Sequence, residues 1–343
     1  MSFRKTIFIN STSRPKIYYA SIRKVSSVKR QFKEVEIRVP WGFVAGKWWE
    51  PYDVRPILAL HGWQDNCQTF DRLIPLLNNN VGFLAIDLPG HGYSSHLPHG
   101  MVYFALHYVM VIKSISRDFN WSKVSLLGHS LGAITSFLYS TLFPAEVDFL
   151  MCLDAVKPMA TPHRFKYLSK SIEAFFKYNE FVNNSTEPPS YTIEEIEALV
   201  AKPNKNSIDL QYTKYIYERN IAPSKLHPGK YYFTRDPRLK IGNLNTINQR
   251  DIVEISQQLT MPIFIAKSKT SSYFEPKENY YEIVDILKRV SADCDFNYVD
   301  GTHHFHLNNP ECVASIMTNF IRRHNTEERN IGGIKKDVVV DRI

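Results

Sequence analysis

The sequence has few of the features that mark membrane proteins, disulfide-rich proteins or zinc proteins. Its four cysteines are scattered at positions 67, 152, 294 and 312 and form no C-x-x-C or zinc-type spacing. We therefore expect buried free thiols in a reducing compartment. No apolar run approaches the roughly 20 residues of a membrane-spanning helix, so no integral membrane segment is expected.

Acidic residues are absent before Glu34, and this stretch carries nine of the lysines and arginines of a chain whose net charge is +8. Such a serine-containing basic segment is typical of an organelle transit peptide, and a solvated tail over residues 1–32 is the alternative. Because the basic excess lies in a tail without a nucleic-acid motif, we expect no nucleic-acid partner. The expected location is the cytoplasm, with a mitochondrion or another organelle left open.

Apolar segments alternate with helical periodicity, which predicts an α/β fold with a mostly parallel sheet. The eight predicted strands are 34–39, 43–49, 57–60, 83–87, 124–127, 148–154, 263–267 and 295–299. The predicted helices between them are 69–77, 104–119, 133–143, 279–290 and 310–324.

The alternation breaks between residues 155 and 258, where only helical stretches such as 165–181 and 192–200 are predicted. We therefore expect an α/β core at 33–154 and 259–324, with a helical lid at 155–258 inserted after the sixth strand. Residues 325–343 are expected to form a C-terminal tail. The lid is rich in tyrosine and phenylalanine, which indicates either an apolar pocket or a core within the lid.

A Gly-His-Ser-Leu-Gly motif at residues 128–132 is the strongest functional signal in the chain. It follows a predicted strand and precedes a predicted helix. A G-x-S-x-G motif at such a strand-to-helix turn is typical of a nucleophile elbow. Glycines permit such a tight turn, and the helix N-terminus offers free backbone N–H groups. We predict that Ser130 is a catalytic nucleophile.

A serine nucleophile needs a base and an acid that orients the base. The loop after the last strand contains three histidines, of which His303 is our choice for the base because it is nearest the strand end; His304 and His306 are the alternatives. For the acid we favour Asp154, at the end of the sixth strand and 24 residues after Ser130. Glu275, after the seventh strand, is the alternative.

An oxyanion hole is predicted from the His-Gly-Trp-Gln-Asp stretch at residues 61–65, which follows the third strand. The expected donors are the backbone N–H groups of Trp63 and of Leu131, the residue after the nucleophile. Asp65 either orients this loop or is a solvent-facing turn residue. The Arg-Asp-Pro-Arg stretch at 235–238 is interpreted as a structural ion pair and turn.

Together with the Asp-Leu-Pro-Gly-His-Gly-Tyr-Ser run at 87–94, these motifs resemble the α/β-hydrolase superfamily over about residues 33–324. Residues 128–132, 234–239 and 301–306 resemble more closely its serine hydrolase-like (kraken-like) group. The resemblance implies a serine hydrolase with a lid and with neither a metal nor an organic cofactor. A serine in place of an aspartate nucleophile argues against epoxide hydrolase and dehalogenase activity.

The most specific function we predict is hydrolysis of small to medium apolar carboxylic esters, with a small-molecule ester as the partner. A thioesterase or amidase using Ser130, His303 and Asp154 is the first alternative. A relative that binds a ligand without turning it over is the second, because the expected acid after the seventh strand is missing. The sequence leaves the substrate and the oligomeric state open.

Overall fold

The computed structural model describes residues 30–160, 165–183, 187–202, 207–241, 247–325 and 338–339. The basic tail predicted over 1–32 lies outside the described residues except for 30–32. Of the C-terminal tail, Val339 forms an antiparallel bridge with Val35. Among the described helices, none combines the length and the apolar character needed to cross a membrane.

The strands of the described chain form one large sheet and one small sheet. In chain order they are β1 (Phe32–Val39), β2 (Gly42–Trp49), β3 (Ile57–Leu60), β4 (Phe83–Ile86), β5 (Val124–His129), β6 (Val147–Leu153), β7 (Ser190–Tyr191), β8 (Ile221–Pro223), β9 (Tyr231–Phe233), β10 (Ile263–Ser268) and β11 (Cys294–Val299). The large sheet has the order β1-β2-β4-β3-β5-β6-β10-β11. β1 and β2 pair antiparallel, as do β2 and β4, whereas the remaining neighbours pair in parallel.

The helices of the described chain cover both faces of this sheet. They are α1 (Ala105–Asp118), α2 (Leu131–Leu142), α3 (Phe165–Asn183), α4 (Ile193–Ala201), α5 (Lys214–Tyr217), α6 (Gln249–Ser256), α7 (Lys277–Val290), α8 (Phe305–Asn308) and α9 (Glu311–His324). The mostly parallel eight-stranded sheet with flanking helices confirms the predicted α/β-hydrolase fold.

Neighbouring residues of the central strands face two separate cores. In β5, Leu126 packs in the core under α1, α2 and α7, whereas Leu127 packs in the core under α9. Ile265 and Phe264 of β10 divide in the same way. Because successive side chains of a strand point to opposite faces, a strand covered on both sides is apolar throughout. This explains the continuous apolar runs of the central strands.

Two local predictions were wrong. The helix predicted at 69–77 is replaced by two short 3₁₀ turns, Cys67–Phe70 and Ile74–Leu76. Pro75 lies at the start of the second turn, where its missing N–H would interrupt a continuous α-helix. The segment 155–258 is not purely helical, because it also holds the small antiparallel sheet β7-β9-β8. Its strands of two or three residues are too short to show an alternating pattern.

Gly132 lets helix α2 approach strand β3. A Cβ atom at this position would lie 1.9 Å from the backbone carbonyl oxygen of Leu60, so the helix would have to move. We expect Gly132→Ala to lower the free energy of unfolding by about 3 kcal/mol, the upper part of the range for overpacking. Urea denaturation followed by circular dichroism measures this change.

Gly100→Ala is the matched control for this substitution. Gly100 has a φ of +80°, and a Cβ there would meet nothing within 4 Å. Its cost is therefore backbone strain alone, about 1 kcal/mol. If both variants lose the same free energy of unfolding, the close approach to Leu60 does not restrict the side chain at position 132.

Candidate active site

Ser130 lies at the sharp turn between β5 and α2. Its backbone has φ of 51° and ψ of −111°, a conformation that non-glycine residues rarely adopt and that costs energy. The Ser130 N–H donates to the Leu153 carbonyl at 3.2 Å, which ties the turn to the end of β6. The Ser130 side chain lies on the wall of the cavity described below. This is the strained strand–turn–helix geometry expected for the motif.

His303 and Asp154 lie together at the same edge of the sheet. Asp154 follows β6 directly, and His303 follows β11. The distance between His303 Nδ1 and Asp154 Oδ2 is 2.5 Å. His303 is partly exposed, whereas the Asp154 side chain is only 1% exposed. The structure therefore brings together the predicted base and the favoured acid across the intervening strand β10.

The second oxygen of Asp154 is held by three donors that sequence reasoning missed. Asp154 Oδ1 accepts from Lys267 Nζ at 2.9 Å, from the Ser268 N–H at 2.9 Å and from Ser271 Oγ at 2.7 Å. Burial opposes the ionisation of Asp154, but the His303 hydrogen bond and the Lys267 ammonium outweigh it and lower the pKa of the carboxyl. Asp154 is therefore an anion at neutral pH.

The alternative acid, Glu275, is paired elsewhere. Its carboxylate accepts from Lys157 Nζ at 2.5 Å and from the Ala160 N–H at 3.0 Å. The alternative bases are also paired away from Asp154. His304 Nδ1 lies 2.8 Å from Ser207 Oγ, and His306 Nε2 lies 2.9 Å from Thr69 Oγ1. Burial lowers the pKa of both imidazoles well below the ordinary value, so both rings are neutral.

The loop after β3 lies beside the Ser130 turn. Leu131 is the first residue of α2, so its backbone N–H has no hydrogen-bond acceptor within the helix. Within the described residues, neither this N–H nor that of Trp63 donates a hydrogen bond. Asp65 is only 2% exposed. Of the two roles expected for it, the solvent-facing turn residue is therefore wrong. Burial raises the pKa of its carboxyl to about 6.

A cavity of about 670 Å³ opens beside Ser130 and is mostly apolar. Its wall includes Leu106, Ile134 and Leu138 from the core and Leu239 and Ile241 from the segment 155–258. Trp63 also lines the cavity, and its indole N–H donates to the Leu239 carbonyl at 2.8 Å. The core and the inserted segment therefore share one pocket.

Several aromatic residues of the inserted segment pack against buried aliphatic side chains rather than lining the cavity. Tyr191, Tyr212, Tyr217 and Phe233 surround a small core formed by α4, α5 and neighbouring turns. Asp236 and Arg238 form a buried ion pair at 2.7 Å, and Asp236 also caps the 3₁₀ turn Pro237–Lys240. The 235–238 stretch is therefore the structural ion pair and turn that was predicted.

Sequence comparison connects the chain to known hydrolases. A family model described as alpha/beta hydrolase fold matches residues 55–189. A probable serine hydrolase of Drosophila melanogaster is 35% identical over 294 residues, covering 85% of this chain and 88% of that protein. A serine hydrolase-like protein of Danio rerio is 31% identical and covers 88% of this chain and 92% of its own length.

Structural comparison supports the same fold. A hypothetical protein of Pseudomonas aeruginosa aligns with a TM-score of 0.72 and 25% identity, over 85% of this chain and all of that one. A thioesterase domain from the curacin biosynthetic pathway aligns with a TM-score of 0.69 at 17% identity, over 84% of this chain and 99% of that domain, which shows shared fold alone. The relatives that are 31% and 35% identical match most of this chain and most of their own length. The chain therefore belongs to the serine hydrolase-like group of the α/β-hydrolase family.

Proposed function

We propose that this chain hydrolyses carboxylic esters of small to medium apolar acids through an acyl-serine intermediate at Ser130. The observation that carries the proposal is the 2.5 Å hydrogen bond between His303 and Asp154 at the edge where the strained Ser130 turn meets the cavity. A serine hydroxyl becomes a useful nucleophile when an oriented imidazole takes its proton.

In the first half of the reaction, Ser130 Oγ attacks the acyl carbon and His303 accepts the hydroxyl proton. Asp154 holds His303 in the tautomer with Nδ1 protonated, so that Nε2 is free to act as the base. The backbone N–H groups of Trp63 and Leu131 are assigned to the oxyanion that forms. One such donor contributes about 10²–10³ in rate.

His303 then gives the Ser130 proton to the leaving alcohol, the ester bond breaks and the acyl-serine is complete. In the second half, a water molecule loses a proton to His303 and attacks the acyl-serine carbonyl. His303 returns that proton to Ser130 Oγ as the bond to the acyl group breaks, which releases the acid. Every proton removed by His303 is given back within one cycle, so these steps need no external acid or oxidant.

The cavity supports an apolar acyl group as the substrate's main recognition element. A volume of about 670 Å³ is within the range of small-molecule sites, and Leu106, Ile134 and Leu239 give it an aliphatic wall. We propose that the segment 155–258 acts as a lid over this site. The Trp63–Leu239 hydrogen bond fixes the lid to the loop that carries an oxyanion donor.

A panel of p-nitrophenyl esters with acyl chains of increasing length tests the proposal on the purified chain. We expect kcat/KM to rise from the acetyl ester to medium chains, because each buried methylene adds about 0.8 kcal/mol. Matched thioesters and amides in the same assay separate the ester hydrolase from the thioesterase and the amidase. No turnover of any ester by folded protein would overturn the proposal.

A further inference from the structure

A second cluster of polar side chains lies behind the nucleophile turn and is not used by the proposed reaction. Asp65 Oδ2 lies 3.7 Å from His129 Nδ1 and 3.7 Å from His304 Nε2. All three donor atoms lie within 4.8 Å of one another, and all three residues are buried. The described wall of the substrate cavity contains none of the three. We refer to them as the Asp65–His129–His304 cluster.

The hydrogen bonds of the two histidines allow a lone pair of each ring to face Asp65. His129 Nε2 lies 3.0 Å from the His303 carbonyl, which can only accept, so this nitrogen carries the proton in the neutral ring. His129 Nδ1 is then an acceptor, and it has no partner among the described residues. His304 Nδ1 can donate to Ser207 Oγ at 2.8 Å, which leaves Nε2 of that ring as an acceptor.

Asp65 adds a third acceptor to the same small space. Neither of its carboxylate oxygens makes a hydrogen bond of ordinary geometry within the described chain, although the Thr69 hydroxyl and the Asn66 amide lie near it. When His304 donates from Nδ1 to Ser207, three buried acceptors face one another, and they repel unless something positive lies between them, since an unsatisfied buried polar group is costly.

From this arrangement we infer that the Asp65–His129–His304 cluster is a binding site for one divalent transition-metal ion of the zinc type. Imidazole nitrogens with one carboxylate oxygen form a donor set suited to zinc rather than to magnesium or calcium. Donors about 2.1 Å from a tetrahedral zinc lie about 3.4 Å apart. The two 3.7 Å distances therefore need only a small contraction, and the donor atoms of the third pair lie within 4.8 Å of each other.

The surroundings of the two histidines match those of metal ligands. A ligating histidine usually donates its second ring N–H to a carbonyl or another acceptor, which fixes its tautomer and orientation. His129 has the His303 carbonyl in this role, and His304 has the Ser207 hydroxyl. Three protein donors leave a fourth position for water.

The position of the cluster lets a bound ion connect segments that are distant in sequence. Asp65 belongs to the loop after β3, His129 is the last residue of β5, and His304 belongs to the loop after β11. An ion bound by all three would cross-link the loops that carry Trp63, Ser130 and His303. The inference concerns binding and stability, so it holds whether or not the chain hydrolyses esters.

Zinc titration of the purified full-length chain after EDTA treatment tests the inference. We expect isothermal calorimetry to show saturable binding of one zinc per chain, with no comparable binding of magnesium, and zinc to raise the thermal midpoint. Asp65→Asn and His304→Gln should each weaken zinc binding at least about 10-fold. The control His227→Gln removes an exposed histidine and should leave binding unchanged.

Cobalt substitution of the wild-type chain keeps the test independent of whether the variants fold. We expect the visible spectrum of a four-coordinate cobalt ion with nitrogen and oxygen donors. A sulfur-to-cobalt charge-transfer band would assign the ion to a cysteine and overturn the inference. The inference is also overturned if the wild type does not bind one zinc per chain; a proton or a water molecule would then separate the three acceptors. It is likewise overturned if both variants fold and bind zinc as tightly as the wild type does.

Discussion

Replacing Ser130 by alanine is expected to lower kcat for p-nitrophenyl esters by about 10⁶-fold. This is the size of loss measured when a serine hydrolase loses its nucleophile. The loss follows because the acyl intermediate of the proposed reaction forms on the Ser130 hydroxyl. Covalent labelling with a fluorophosphonate, read by mass spectrometry, should modify Ser130 in the wild type and disappear in the variant.

Ser136→Ala is the matched control for the loss of a hydroxyl from helix α2. The Ser136 hydroxyl is buried and has no hydrogen-bond partner among the described residues, so its removal should leave activity and stability nearly unchanged. Labelling at a serine other than 130, or turnover that survives in Ser130→Ala, would contradict the assignment. Saturable ligand binding in both proteins without wild-type turnover would instead indicate a binding protein.

The core of the fold was predictable because its signals are local. The central strands β3 and β4 are short runs of apolar residues that are buried on both faces. The inserted segment was harder to predict. Strands β7, β8 and β9 have only two or three residues each, so they carry no period and are specified by their pairing with one another.

The candidate site divides in the same way. Ser130 and His303 could be predicted because each lies at the end of a recognisable strand, and strand ends meet at one edge of a parallel sheet. The hydrogen bonds from Lys267 and Ser271 to Asp154 could not be predicted, because both donors are more than 100 residues away in the chain and only the folded structure brings them together. The Asp65–His129–His304 cluster likewise joins three loops that are distant in sequence, so no ligand spacing indicates it.

Asp154→Asn is expected to lower kcat per folded molecule by about 10⁴-fold, and also to lower stability because Lys267 loses its buried carboxylate partner. The amide oxygen should keep the position of Oδ1, where Lys267, Ser268 and Ser271 donate. The amide NH₂ then faces His303 Nδ1 and forces that nitrogen to accept. The ring proton moves to Nε2, and His303 can no longer act as a base toward Ser130.

Glu275→Gln distinguishes this acid from its alternative, because both substitutions should lower stability but only Asp154→Asn should lower kcat per folded molecule sharply. Glu275 forms a buried ion pair with Lys157, and the neutral amide would remove the carboxylate charge from that pair. We therefore expect a loss of stability of about 3–5 kcal/mol, with kcat per folded molecule lowered less than about 10-fold because the His303–Asp154 pair is intact. Steady-state kinetics and urea denaturation of both variants give the comparison. The opposite pattern, a collapse of kcat in Glu275→Gln and near-normal turnover in Asp154→Asn, would place the acid after β10 and leave Asp154 as a structural partner of Lys267.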